Sequence, residues 1–168
     1  MLNSHRIVLV AALLAFAPAT FADTATLTIS GRVLPGTCTL AAPAITLDPV
    51  NANDLTQGDN LLKAGVLNFT GCVGVSKAVL SFDGTAADGD AARWKNTAST
   101  DAADGVSIAL LAGTTGSTYL KRGDTGIDVP VTGATASYAL RAGYYLPVLG
   151  GLTAGAVQAE IVVTADYE

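Results

Sequence analysis

Histidine is almost missing from this 168-residue chain: the single one, His5, falls in the first turn of what reads as a removable leader. The rest of the chain therefore cannot build Ser–His–Asp, Cys–His or histidine–metal arrangements. Cysteine is scarce too, with only Cys38 and Cys72, too few for a four-ligand zinc site without His. Basic side chains are outnumbered, nine Lys+Arg against fourteen Asp+Glu, which argues against nucleic acid or an anionic membrane surface as a partner. No apolar run after the leader is long enough to span a membrane. A sustained helical period is also lacking, although alanine is frequent. Nothing in this inventory implies an enzyme or a cofactor.

The first 22 residues form a secretory signal pattern. Arg6 and His5 give a short basic start, Ile7 to Phe16 is apolar, and Thr20-Phe21-Ala22 is an acceptable cleavage site. Cleavage after Ala22 would leave eight basic and fourteen acidic side chains, a formal charge of −6. In an exported protein two cysteines are read as one disulfide, Cys38–Cys72. Closing that loop contributes roughly 3–4 kcal/mol on the chain-entropy model. The length suits one domain, with no linker or repeat to divide it.

Where regular structure is legible, it has a period of two. In Thr24–Val33, Ala25, Leu27, Ile29, Gly31 and Val33 fall on one side and Thr24, Thr26, Thr28, Ser30 and Arg32 on the other. A strand at the start of a mature chain has no preceding partner, so we expect it to dock on another molecule. Ala44–Leu47 is a short apolar piece, and Asn51–Asn60 reads as a polar turn region. Strands follow over Ala64–Phe69, Lys77–Phe82, Val106–Leu111 (nearly all apolar, so buried on both faces), Ile127–Val131 (an edge, from Pro130) and Ser137–Leu146. Asp83–Asp104 reads as a long surface loop holding a short strand near Trp94. The closing segment alternates without fault: Val157, Ala159, Ile161, Val163, Ala165 and Tyr167 against Ala156, Gln158, Glu160, Val162, Thr164 and Asp166, about 40 Å of strand. Short strands, many glycines and regular turns favour an all-β sandwich.

Several other motifs carry less. Arg122-Gly123-Asp124 is an integrin-type tripeptide in an exposed turn, and Asp124-Thr125-Gly126 echoes an aspartic-protease triplet without its apolar flanks. Asp83, Asp88 and Asp90 lack the ordered ligand spacing of a calcium loop. Trp94 suits a core or rim position, and Asn68-Phe69-Thr70 is a sequon in form only.

In TLTISGRVLPGTC at Thr26–Cys38, FTGC at Phe69–Cys72, Ala139–Tyr145, Gly155–Ala159 and the penultimate Tyr167, the chain resembles pilin subunits of type 1-like fimbriae, built by the chaperone–usher pathway of Gram-negative bacteria. The resemblance spans essentially the whole mature chain. It implies an incomplete immunoglobulin-like β-sandwich that lacks its last strand, residues 35–168, preceded by a donor-strand extension, residues 23–34. It implies that Ala25, Leu27, Ile29, Gly31 and Val33 are donor side chains, with Gly31 at a constriction. Gly155, Val157, Ala159, Ile161, Val163, Ala165 and Tyr167 would line the acceptor groove. The implied partners are neighbouring pilin subunits, a periplasmic chaperone and an outer-membrane usher, and the implied location is the cell-surface fimbrium, serving adhesion. A complete, secreted, single-domain lectin-like module is the alternative reading.

Overall fold

Two antiparallel sheets face each other in the computed structural model, which describes residues 25–42, 44–148 and 150–168. Residues 33–168 make one unit, and residues 1–32 are counted apart from it. The strands are β1 (Thr39–Ala41), β2 (Gly58–Thr70), β3 (Lys77–Gly84), β4 (Ala86–Ala87), β5 (Asp90–Trp94), β6 (Ser107–Ala112), β7 (Ile127–Pro130), β8 (Thr135–Leu146) and β9 (Ile161–Tyr167). One sheet runs β1-β2-β8-β6-β5-β4 and the other β7-β3-β9. Their inner faces supply the core, with Phe69, Trp94, Leu110 and Leu140 from the larger sheet meeting Leu80, Phe82 and Val129 from the smaller. The expected all-β sandwich is the observed architecture. Trp94 is a core residue, fully buried, and its indole N–H donates to the Leu120 carbonyl at 2.8 Å.

β6 is buried along nearly its whole length, and the chain that follows it returns to pair with it edge-on. Tyr119 bridges to Leu111 there, and Arg141 donates to the Gly113 and Gly116 carbonyls, at 3.1 and 2.7 Å, to hold the returning loop. Arg93 lies between the rings of Tyr119 and Tyr145, 3.4 and 3.9 Å from their centroids, while the Tyr119 hydroxyl donates to Asp59 at 2.6 Å. Only 6% of Arg93 is exposed, so this stack is a buried lid rather than a solvated charge.

Two expected boundaries move by more than two residues. β2 begins at Gly58, inside the stretch read as turn, because Asn60 is buried and spends its amide on Thr56 and Gly58. The closing strand is shorter than its alternation suggests. β9 pairs with β3 only from Ile161 (opposite Gly84) to Tyr167 (opposite Ala78). Ahead of it, residues 156–158 bond to another partner, the segment 96–103. Asn96 organises that contact: its amide donates to the Ala103 and Ala156 carbonyls at 2.9 Å each, and its oxygen accepts from Gln158 N–H at 2.9 Å. β7 sits at an edge, as Pro130 requires, and Cys38–Cys72 form the expected disulfide across a sequence separation of 34.

Candidate assembly groove

β9 is the last strand of the smaller sheet. Among the described residues it pairs with β3 alone, so its other edge presents unpaired backbone N–H and C=O groups. Across from that edge runs residues 42–47, extended in sequence after β1 but in no strand where described. Between them the sandwich is open. The opening is a groove of ≈ 430 Å³. Val157, Ala159, Ile161 and Val163 form one wall, Ile45 and Leu47 the other, and Phe82, Ile108, Leu110 and Leu140 line it from the core. Among the described residues of the lining, Gln158 is the one polar one. Such an apolar trough beside an open ladder is both an aggregation hazard and a template for another strand.

Of the seven residues expected to line an acceptor groove, Val157, Ala159, Ile161 and Val163 line this opening. Their alternation is real, since the odd-numbered residues from Val157 to Tyr167 are half-buried and the even-numbered ones exposed. Ala165 and Tyr167 pack against the core beyond the groove. Gly155 lies outside it, packed so closely on Asp101–Ala103 that a Cβ there would collide with their backbone. It borders instead a second cavity of ≈ 410 Å³, lined by Val50, Leu55, Tyr144 and Leu152 and sharing Val157 with the groove. The wall at Ile45–Leu47 and the floor residues were not anticipated as groove residues. The only signal was the short apolar piece at Ala44–Leu47.

Of the expected donor residues, Ala25, Leu27, Ile29 and Gly31 lie in a stretch with no regular secondary structure, and all are exposed. Leu27 and Ile29 expose 83% and 86% of their surface, and Val33, on the 33–168 unit, 96%. Aliphatic side chains this bare make unfavourable contact with water that burial would relieve. Thr24 and the leader lie outside the described residues.

Where β9 ends, Glu168 is held by its own chain. Ser76 N–H donates to its carbonyl oxygen at 2.7 Å, and Lys77 Nζ lies 3.1 Å from its carboxylate and 3.3 Å from Asp128. Those bonds, to Glu168 first and Asp128 second, hold the Lys77 ammonium above its usual pKa. The other candidate motifs are also occupied locally. Arg122 pairs with Asp83 at 3.2 Å, Asp124 accepts from Lys121 N–H at 2.9 Å, and Gly123 and Asp124 bond to the Phe82 backbone. The Asp83 carboxylate, bonded by Gly84 N–H and then by Arg122, is held below its ordinary pKa. Asp88 pairs with Lys95 at 2.8 Å. Among the described residues no group of three or more His, Cys, Asp or Glu could hold a metal ion.

A family model described as "Fimbrial protein" matches residues 27–168. The chain belongs to this fimbrial family. It is thus a structural subunit of a pilus, as the resemblance in its sequence implied. No curated protein sequence matches it. Solved structures share its fold. The P pilus rod subunit PapA superposes with a TM-score of 0.64 at 14% identity, covering 79% of this chain and 100% of that one. A chaperone–usher pilus structure gives 0.64 at 15% identity, covering 90% and 100%. A type I fimbria protein and antigen of Burkholderia pseudomallei gives 0.60 at 22% identity, covering 80% and 91%.

Proposed function

We propose that this fimbrial subunit polymerises by donor-strand exchange, the groove beside β9 receiving residues 25–33 of a neighbouring copy. The open groove, apolar along its length and flanked by the free edge of β9, is the observation that carries this reading. An incoming strand would complete the ladder and bury alternate side chains. Leu27, Ile29 and Val33 together offer roughly 5–8 kcal/mol of gross burial. In this reading residues 1–22 direct export, the disulfide forms in the oxidising space beyond, a periplasmic chaperone covers the groove, and an outer-membrane usher passes the subunit into a surface fimbria that serves adhesion.

Polarity follows from where the chain leaves the domain. Cys38 is bonded to Cys72, and Thr39 pairs with Thr70, so residues 33–38 depart at the end of the sandwich where β9 finishes. A donor running parallel to β9 would bring two such ends together, and the two copies could close on each other as a dimer. A donor antiparallel to β9 joins opposite ends, a heterologous contact that repeats without closing. A fibre requires the second arrangement.

Deleting Asp23–Arg32 from the expressed chain tests the reading by electron microscopy. Fibres are expected from the full mature chain and none from the deletion. Gly31→Leu should block fibre growth while leaving chaperone binding intact; normal fibres from that variant would show that Gly31 meets no constriction. A mature chain that stays a monodisperse, denaturant-resistant monomer would overturn donor exchange altogether.

A further inference from the structure

The donor stretch has one residue out of pattern. Its outward face is Thr24, Thr26, Thr28, Ser30 and Arg32, all polar, as suits a strand whose back meets water. The next residue on that face is Leu34, and it is 66% exposed. Two residues on, the backbone of Gly36 lies against Val73, where a Cβ would collide with the Val73 carbonyl. Val73 is itself 73% exposed. Two bare aliphatic side chains thus stand at the end of the domain from which the extension departs. The opposite end carries Val148, 60% exposed, and Leu152, half-buried against the second core cluster and lining the cavity beside the groove.

We propose that these two ends form an apolar subunit–subunit junction, Leu34 and Val73 of one copy packing on Val148 and Leu152 of the next. The inference rests on the donor exchange and antiparallel polarity argued above, and adds a contact outside the groove. The occupant is a second copy because the tether leaves little choice. From Val33 to Cys38 the chain reaches at most about 18 Å. A donor whose Val33 occupies the Val157 end of a groove therefore holds its own domain close against that end. Val157 lines both the cavity and the groove, so the junction would lie directly beside the exchange interface. Apolar contact at the join also explains why Leu34 departs from the polar face.

A photo-crosslinking benzoylphenylalanine at position 73 in the full-length chain, irradiated in assembled fibres and mapped by mass spectrometry, tests the junction. Crosslinks from position 73 to the neighbour's residues 147–155 are expected. Crosslinks to the neighbour's residues 71–76, or none between copies in well-formed fibres, would overturn the proposal. Leu34→Asp is the second probe. It should leave fibre formation and donor insertion in place but speed dissociation in denaturant roughly tenfold or more, the fold-change matching loss of one buried aliphatic side chain. An unchanged rate would refute the junction. Failure of the unmodified chain to form any fibre would instead refute the donor exchange beneath it.

Discussion

Consider fibres assembled from copies in which Ile29 is replaced by alanine. Ile29 is 86% exposed on its own chain and sits at the middle of the alternating set, so donor exchange would take it from water into the groove. Truncation removes three carbons, each worth about 0.8 kcal/mol on burial, or about 2.4 kcal/mol together. The space left behind in a groove lined by Phe82, Leu110 and Leu140 can only add to that cost. Interface changes of this kind fall mainly on the dissociation rate, so subunits should leave the fibre about 50-fold faster. Ile29→Val removes one carbon and should give about a fourfold change. Thr28→Ala, on the outward face, should stay within about twofold. Depolymerisation in guanidinium, followed by light scattering or by loss of the polymer ladder on gels, measures all three. If Thr28→Ala costs as much as Ile29→Ala, the alternation does not decide which face is buried, and the donor assignment fails.

Two further outcomes follow from the domain itself. Burial raises the Tyr119, Tyr138 and Tyr144 phenols above their ordinary value; Asp59, by accepting a hydrogen bond from Tyr119, and Asp124 and Asp48, by their charge, add to the respective shifts. The fold therefore favours the protonated phenols: their contribution is intact below about pH 10 and is lost as pH rises past it. Lys77, raised by its acidic partners, acts in the same direction. The denaturation midpoint should be flat from about pH 7 to 9 and fall above about pH 10, less steeply in Tyr119→Phe; a flat profile to about pH 11 would contradict this. Asn96→Ala should release residues 156–158 from segment 96–103 at a cost of about 1–3 kcal/mol, and amide exchange at Gln158 should accelerate while the β9 amides that face β3 stay protected. Protection unchanged at Gln158 would show that Asn96 does not hold the segment.

Much of this architecture could be read from the chain because a half-buried strand writes its burial as alternation. The odd-numbered residues from Val157 to Tyr167 and the edge position of β7 with Pro130 are examples. Elements that break the period were harder to read. The groove wall at residues 42–47 belongs to no strand where described, so it leaves only a short apolar run as its mark. The start of β2 was hidden because Asn60 is polar yet buried, satisfied by Thr56 and Gly58. The Tyr119–Arg93–Tyr145 stack joins residues far apart in sequence, and nothing local in Arg93-Trp94-Lys95 announces that one side chain enters the core and its neighbour a lid. The resemblance groups Gly155 with the groove, whereas in the fold its lack of a side chain serves close passage over Asp101–Ala103.

The disulfide has a mechanical meaning in a fibre joined as proposed. A pull along such a fibre reaches each domain through the donor strand of that same chain and arrives first at residue 38. Directly beyond lies β1, three residues long and paired, among the described residues, only with β2, which would peel one hydrogen bond at a time. Because Cys38 is tied to Cys72, the force passes instead to the junction between β2 and β3, the long strand of one sheet and the central strand of the other. Both sheets then share the tension in shear, and the weakest strand is spared.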